Sequence, residues 1–266
     1  MWFRSSNPTI RNLNKEVNAN GSTKNGEVYH SGNVSSDDVA SYKGIGLKAL
    51  YFAFLVLVVA VLSATYLPRL LVQDVRIGYY IIIGAFIGII VFGIIASFSR
   101  RVALWGTIYA ICQAVLIGYI SAIFEFQYNN IVLLALLTTV LAFVTMSACY
   151  AFGLIKVTRR FRGIVLSALI ALIFAQLMIL VFSLFVPSLF NIYSTVGFWL
   201  QLGVCVISII IACAMIAVDL NNITNLVENK MPKQYEWRAA FGLVVTLIWL
   251  YLELLRLFAL LFSRRS

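Results

Sequence analysis

The longest uncharged stretch of this chain is residues 163–218, which read GIVLSALIALIFAQLMILVFSLFVPSLFNIYSTVGFWLQLGVCVISIIIACAMIAV. A helix needs about 20 apolar residues to cross the roughly 30 Å of hydrocarbon in a bilayer, so this stretch is long enough to cross twice. Pro187, which lacks an amide donor, and Asn191, which favours turns, mark the break between the two crossings. The stretch therefore predicts two transmembrane helices, near residues 163–186 and 196–219.

The same criterion finds five more crossings in the rest of the chain. The composition agrees, because 62% of the residues are hydrophobic and only 11% are charged, a balance unlike that of water-soluble domains. We therefore predict an all-α integral membrane protein, a seven-transmembrane-helix bundle in residues 43–266. The other five predicted spans are 46–67, 77–98, 103–124, 130–154 and 239–263.

The first 42 residues are rich in Asn, Ser, Gly, Asp and Lys and poor in large apolar side chains. Such a composition buries too little surface to offset the entropy of ordering the chain. We expect residues 1–42 to form a disordered polar tail. The first apolar segment begins too far from the amino terminus, and is too long, for a cleaved signal peptide.

The net charge of +10 predicts topology rather than nucleic-acid binding, because the basic residues lie in the tail and in short loops between spans. With the amino terminus inside, fifteen Lys and Arg residues fall in the inner segments and four in the outer ones. The positive-inside rule then favours a cytoplasmic amino terminus and an external carboxyl terminus. We expect a multi-pass protein of the cell (plasma) membrane, a monomeric bundle with the lipid bilayer as its main partner.

The chain lacks residues that several functional classes of protein require. The single histidine, His30, lies in the tail, which argues against Ser–His catalysis and against a zinc site. Residues 239–263 contain no lysine for a retinal Schiff base. We interpret the thiols of the four cysteines as small buried hydrophobic groups. These residues are Cys112, Cys149, Cys205 and Cys213. We therefore expect a protein that is not an enzyme, with no cofactor and no tight metal site.

The most informative residues are Asp219, Glu253 and Arg256, because ionisable groups at membrane depth are costly and tend to face a bundle interior. Asp219 ends the sixth apolar run and can be read as an interfacial carboxylate. Glu253 lies deep in the seventh span, where Arg256 at i+3 can neutralise it on the same helix face.

A functional interpretation makes Asp219 and Glu253 partners across neighbouring antiparallel helices. Two carboxyls that share a low-dielectric site cannot both ionise cheaply, so the pair should respond to pH. When both are charged they offer oxygen ligands to Ca²⁺, but too few for tight binding. They would meet at equal depth if the connecting turn centred near residue 236, whereas a turn at Pro232 would offset them by about 12 Å.

The chain resembles the Bax inhibitor-1 (transmembrane Bax inhibitor motif) family, in particular its bacterial branch. The strongest stretch is residues 236–257, EWRAAFGLVVTLIWLYLELLRL. Further matching segments are Ser6-Asn-Pro-Thr9, Gly118-Tyr-Ile-Ser121 through Phe124-Glu125, Gly153-Leu-Ile-Lys156-Val-Thr158 with Phe161-Arg162, and Asp219-Leu-Asn-Asn-Ile223.

This resemblance implies seven spans with the last helix central. It also implies a pH-sensitive Ca²⁺ leak controlled by two acids, at the positions of Asp219 and Glu253. The family often has an acidic residue where this chain has Gln113, and usually has Asp where this chain has Glu253. We therefore treat Gln113 and Ser121 as pore or packing candidates.

The leading functional hypothesis is a pH-sensitive Ca²⁺ (cation) leak channel gated by the Asp219–Glu253 pair, with Arg256 as a charge partner and Ca²⁺ as a transient ligand. The alternative is a membrane interaction protein that modulates a membrane-bound protease or a stress response without transport. A generic small-molecule transporter is a third, weaker hypothesis, because polar clusters within the spans are lacking.

Overall fold

Seven long α-helices make up the part of the chain that the computed structural model describes, residues 39–99, 101–185 and 198–264. Each is long and apolar enough to cross a membrane, which confirms the predicted seven-helix membrane bundle. The helices are α1 (Tyr42–Gln73), α2 (Val75–Phe98), α3 (Val102–Gln127), α4 (Ile131–Ala151), α5 (Arg159–Phe185), α6 (Phe198–Glu228) and α7 (Gln234–Ser263).

The last helix, α7, lies at the centre of the bundle. Half of its most apolar window is buried inside the protein, against a third or less for each of the other helices. It packs against α1, α3, α4 and α6 and takes part in both apolar clusters of the core. One cluster joins α7 to α1 and α3 around Phe52 and Ala114. The other joins α7 to α4 and α6 around Ile131 and Ile216.

The segment that connects α1 to α2 is shorter than the hydropathy predicts. We expected α1 to end near residue 67, but it continues through Pro68 to Gln73, and only Asp74 separates it from α2. The amide of Asp74 donates to the Leu70 carbonyl at 2.8 Å, while its carboxylate accepts from the Arg76 amide at 3.0 Å. One residue thus ends the first helix and caps the second.

The hairpin between α6 and α7 turns at residues 229–233, around Pro232. Within this turn the Met231 amide donates to the Leu226 carbonyl at 3.1 Å, and Lys230 adopts a left-handed conformation with φ of 49°. Both helices extend past their predicted ends at residues 219 and 239, because helical turns outside the hydrocarbon are polar and leave no hydropathy signal. The turn therefore lies at Pro232 and not near residue 236.

Residues 39–41, which we expected to belong to the tail, are packed against this turn. Val39 forms an antiparallel bridge with Pro232, and the Ala40 amide donates to the Met231 carbonyl at 2.9 Å. Ser41 then caps α1 by accepting from the Gly44 amide at 3.0 Å. Residues 1–38 of the predicted tail, and the predicted break at Pro187–Tyr193, lie outside the described residues.

Candidate functional site

The first candidate residue, Asp219, is buried between α6 and α7 rather than exposed at an interface. Its side chain is 9% exposed, and α6 continues for two and a half turns beyond it. The Thr246 hydroxyl donates to the Asp219 carboxylate at 2.6 Å. Arg162 of α5 interacts with the same carboxylate electrostatically. Asp219 is therefore a buried acid with a hydroxyl partner on the central helix.

Glu253 is also buried, with an exposure of 6%, in a different set of contacts. The indole N–H of Trp249 donates to its carboxylate at 3.3 Å. The thiol of Cys205 lies 3.8 Å from the other carboxylate oxygen and 3.2 Å from the Glu253 carbonyl oxygen. Gln176 forms a hydrogen bond with the carboxylate, and Arg256 influences it electrostatically.

The two acids lie at different levels of the same helix interface. Thr246, which Asp219 contacts, precedes Glu253 by seven residues on α7, or about 10 Å of helix. The early turn at Pro232 causes this offset, as the antiparallel geometry predicts. The structure therefore places the contacts of the two carboxyls at different levels of the α6–α7 interface. The transient Ca²⁺ binding that we expected at these two acids stays a prediction.

An apolar layer lies between the two acid levels. It consists of Ala212 and Ile216 on α6 and Leu250 on α7, none of which is exposed. All three belong to the apolar cluster that joins α4, α6 and α7. On the Glu253 side of this layer, the hydroxyl of Ser208 is buried without a hydrogen-bond partner among the described residues. The α6–α7 interface therefore alternates polar, apolar and polar along its length.

The two remaining sequence candidates lie on α3. Ser121 is buried, and its hydroxyl lies 2.7 Å from the Tyr251 hydroxyl of α7. The amide oxygen of Gln113 is buried and has no hydrogen-bond partner within the described ranges. Ser121 thus joins α3 to α7 through a hydrogen bond, while Gln113 contributes an unsatisfied acceptor inside the bundle.

A third buried acid, Glu236, lies in the first turn of α7 and is fully buried. The ammonium group of Lys48 on α1 forms an ion pair with its carboxylate. The amide of Ser41 donates to the same carboxylate at 2.8 Å. Lys48 also lies 5.2 Å from the centre of the Trp237 ring, a distance suited to a cation–π interaction.

Gly44 makes the approach of α1 to Glu236 geometrically feasible. A Cβ atom at this position would lie 2.4 Å from a carboxylate oxygen of Glu236, which is closer than real atoms pack. The contact therefore requires a residue without a side chain on that face of α1.

Comparison with known proteins supports the resemblance seen in the sequence. The family model described as Bax inhibitor 1 like matches residues 7–263 of the chain. The chain belongs to the Bax inhibitor 1-like family. No curated protein matches it significantly. Family membership and the seven apolar helices identify a multi-pass membrane protein whose surroundings are the lipid bilayer.

Within this Bax inhibitor 1-like fold, sequence reasoning missed most partners of the buried acids, and two of these had been given other roles. We used Lys48 only as a topology signal, yet Lys48 pairs with Glu236, 188 positions away. Cys205 counted only as a small apolar residue, yet it contacts Glu253. The available signal for the first was Glu236 itself, a carboxylate at the start of the strongest family-matching segment.

Proposed function

We propose that this protein is a proton-regulated cation leak of the cell membrane with Ca²⁺ as its permeant ion. The observation that supports this best is the arrangement of Asp219 and Glu253, two buried carboxyls on either side of an apolar layer along the central helix. Buried acids within membrane-spanning segments are rare and typically mark ion pathways or proton relays. The proposal includes a cytoplasmic amino terminus and an external carboxyl terminus.

The two acids would act in sequence rather than as a pair. A carboxylate offers one or two oxygen ligands to a hard cation, far fewer than the six to eight of a tight Ca²⁺ site. An ion that meets one acid at a time would bind weakly and leave readily, as conduction requires. A proton on either acid removes the negative charge that attracts the cation, which links the flux to pH.

The apolar layer would act as the gate between the two levels. Apolar constrictions stop ions by excluding water, and Leu250, Ile216 and Ala212 are packed together without exposure to solvent. A conformation that separates α6 from α7 at this layer would join the two polar levels. The buried hydroxyl of Ser208 would then provide a polar contact for water beside Glu253.

The direct test is Ca²⁺ flux into proteoliposomes over a pH series, with wild type, Asp219→Asn, Glu253→Gln and the double variant. We expect lower flux and weaker pH dependence in each single variant, and the largest loss in the double variant. Glu228→Gln is the matched control, because Glu228 is an exposed acid at the end of α6, the helix that carries Asp219. Unchanged flux in the double variant would refute the assignment of these residues.

The gate has its own test, Leu250→Ala. Truncating this fully buried side chain removes part of the apolar layer, so we expect the flux to rise. The matched control is Leu261→Ala on the same helix, where the leucine is 41% exposed. A flux that stays the same, in a variant that remains folded, would show that ions do not pass this layer.

A second candidate function is a membrane interaction protein that modulates a membrane-bound protease or a stress response. The anchoring of residues 39–41 on the α6–α7 turn favours it, because a partner bound to the preceding tail would pull on the central hairpin. Deleting residues 1–38 separates the two functions while keeping this anchor. A leak through the bundle survives the deletion, whereas a function that depends on a tail-bound partner is lost.

A further inference from the structure

A groove on the lipid-facing side of the bundle lies outside the acid site. It has a volume of about 260 Å³, and it runs between α1 and α4 with α3 and α7 as its floor. The residues at its rim, Leu57, Val61, Leu136 and Val140, are 37–56% exposed. The residues of its floor, such as Ile117, Val244 and Ile248, are buried. The groove therefore leads from the membrane to the central helix.

The lining of this groove is apolar, and its few hydroxyl groups already have partners. Ser121 and Tyr251 bond to each other at 2.7 Å, and Thr139 donates to the Ala135 carbonyl of its own helix at 2.7 Å. An apolar cavity without free polar groups does not hold water, and engineered examples of about 150 Å³ stay dry. Water is therefore a poor occupant of this groove, although the groove is large enough for several molecules.

Small residues keep the groove open. Ala53, Ala60 and Ala64 line its α1 side, where larger side chains would fill it. Gly118 lets α3 approach α1 closely, because a Cβ atom there would lie 2.2 Å from the Ala60 carbonyl oxygen. The two helices therefore meet at the floor and leave the space above it free.

We propose that this groove binds an acyl chain of a membrane lipid. The rim lies in the middle of α1 and α4, at the depth of the hydrocarbon, so acyl chains are the solvent on that face of the protein. An empty groove would forfeit the dispersion contacts of all its lining atoms, and an acyl chain restores them without stranding a polar group. The bound chain contacts Leu247 and Tyr251 of α7, between Thr246 and Glu253.

The test is photo-crosslinking in vesicles of phosphatidylethanolamine and phosphatidylglycerol that contain a phosphatidylcholine with a diazirine in mid-chain. Peptide mass spectrometry then locates the labelled residues. We expect labelling at the rim residues Leu57 and Val61 to exceed, by roughly tenfold, that at Phe54 and Val58. Those two residues are exposed on the same helix but do not line the groove. If the exposed residues of α1 were labelled equally, whether or not they line the groove, the proposal would be overturned.

Filling the groove gives a second, independent readout. Ala64→Phe should abolish the excess labelling at Val61, whereas Val58→Phe, on the same helix outside the groove, should leave it unchanged. If Ala64→Phe does not fold, Ala53→Phe at an exposed position fills the same groove. Excess labelling that persists in a folded, filled variant would refute the assignment. Labelling that disappears as the protein-to-lipid ratio rises would assign the groove to a second copy of the chain instead.

Discussion

Replacing Glu236 with glutamine tests whether the contact between the first and last helices stabilises the bundle. Glu236 is fully buried and Lys48 is 15% exposed, so the pair is shielded from water. Removing one partner of a buried ion pair costs about 3–5 kcal/mol, because the other charge is left without compensation. Lys48 can extend toward water along its partly exposed stem, so we expect the lower value, about 3 kcal/mol.

The assay is equilibrium unfolding in mixed micelles with a denaturing detergent, followed by circular dichroism. Glu236→Gln should lower the free energy of unfolding by that amount, a factor of more than about 100 in the folding equilibrium. The double variant Lys48→Met/Glu236→Leu replaces both charges with apolar groups of similar size, and we expect it to recover most of the loss. Glu228→Gln, at an exposed acid, should change the stability by less than about 0.5 kcal/mol.

Two results would contradict this reasoning. The first is a Glu236→Gln variant within about 1 kcal/mol of wild type, the value of an exposed pair. The second is a double variant as unstable as the sum of its single variants, which would show that the two side chains act independently.

Three further predictions follow from other features. Gly118→Ala forces a Cβ atom against the Ala60 carbonyl and should destabilise the bundle by about 1–3 kcal/mol, whereas Gly84→Ala, with open space around it, should not. Glu125→Ala removes the carboxylate that accepts from two amides at the start of α4 and should cost about 1 kcal/mol in the same unfolding assay. In intact cells, a tag on the carboxyl terminus should be accessible from outside and a tag on the amino terminus should not.

The number and placement of the helices could be predicted from the sequence because the hydrocarbon thickness of a bilayer sets the length of each apolar run. The helix ends could not, because the last turns of α6 and the first turns of α7 carry polar residues such as Asn221 and Glu236. Those polar turns also determine where the hairpin turns. Hydropathy therefore left two positions open for the turn, near residue 236 and at Pro232, and with them the relative depth of the two acids.

The residue types of the candidate site were predictable, but their partners were not. Asp219 and Glu253 stand out as charges in apolar segments, whereas Thr246 and Cys205 are ordinary residues for a membrane helix. Their roles depend on the register between α6 and α7, which the turn at Pro232 sets. That register cannot be predicted from the composition of the chain or from the periodicity along one helix.

The central position of α7 has a consequence for biosynthesis. Four of the helices that precede α7 in the described part of the chain pack against it, and its first turn pairs with α1 across 188 residues. The contacts of these helices with α7 can therefore form only after α7 has been synthesised. Chains that stop before α7 lack the surface that joins both halves of the core.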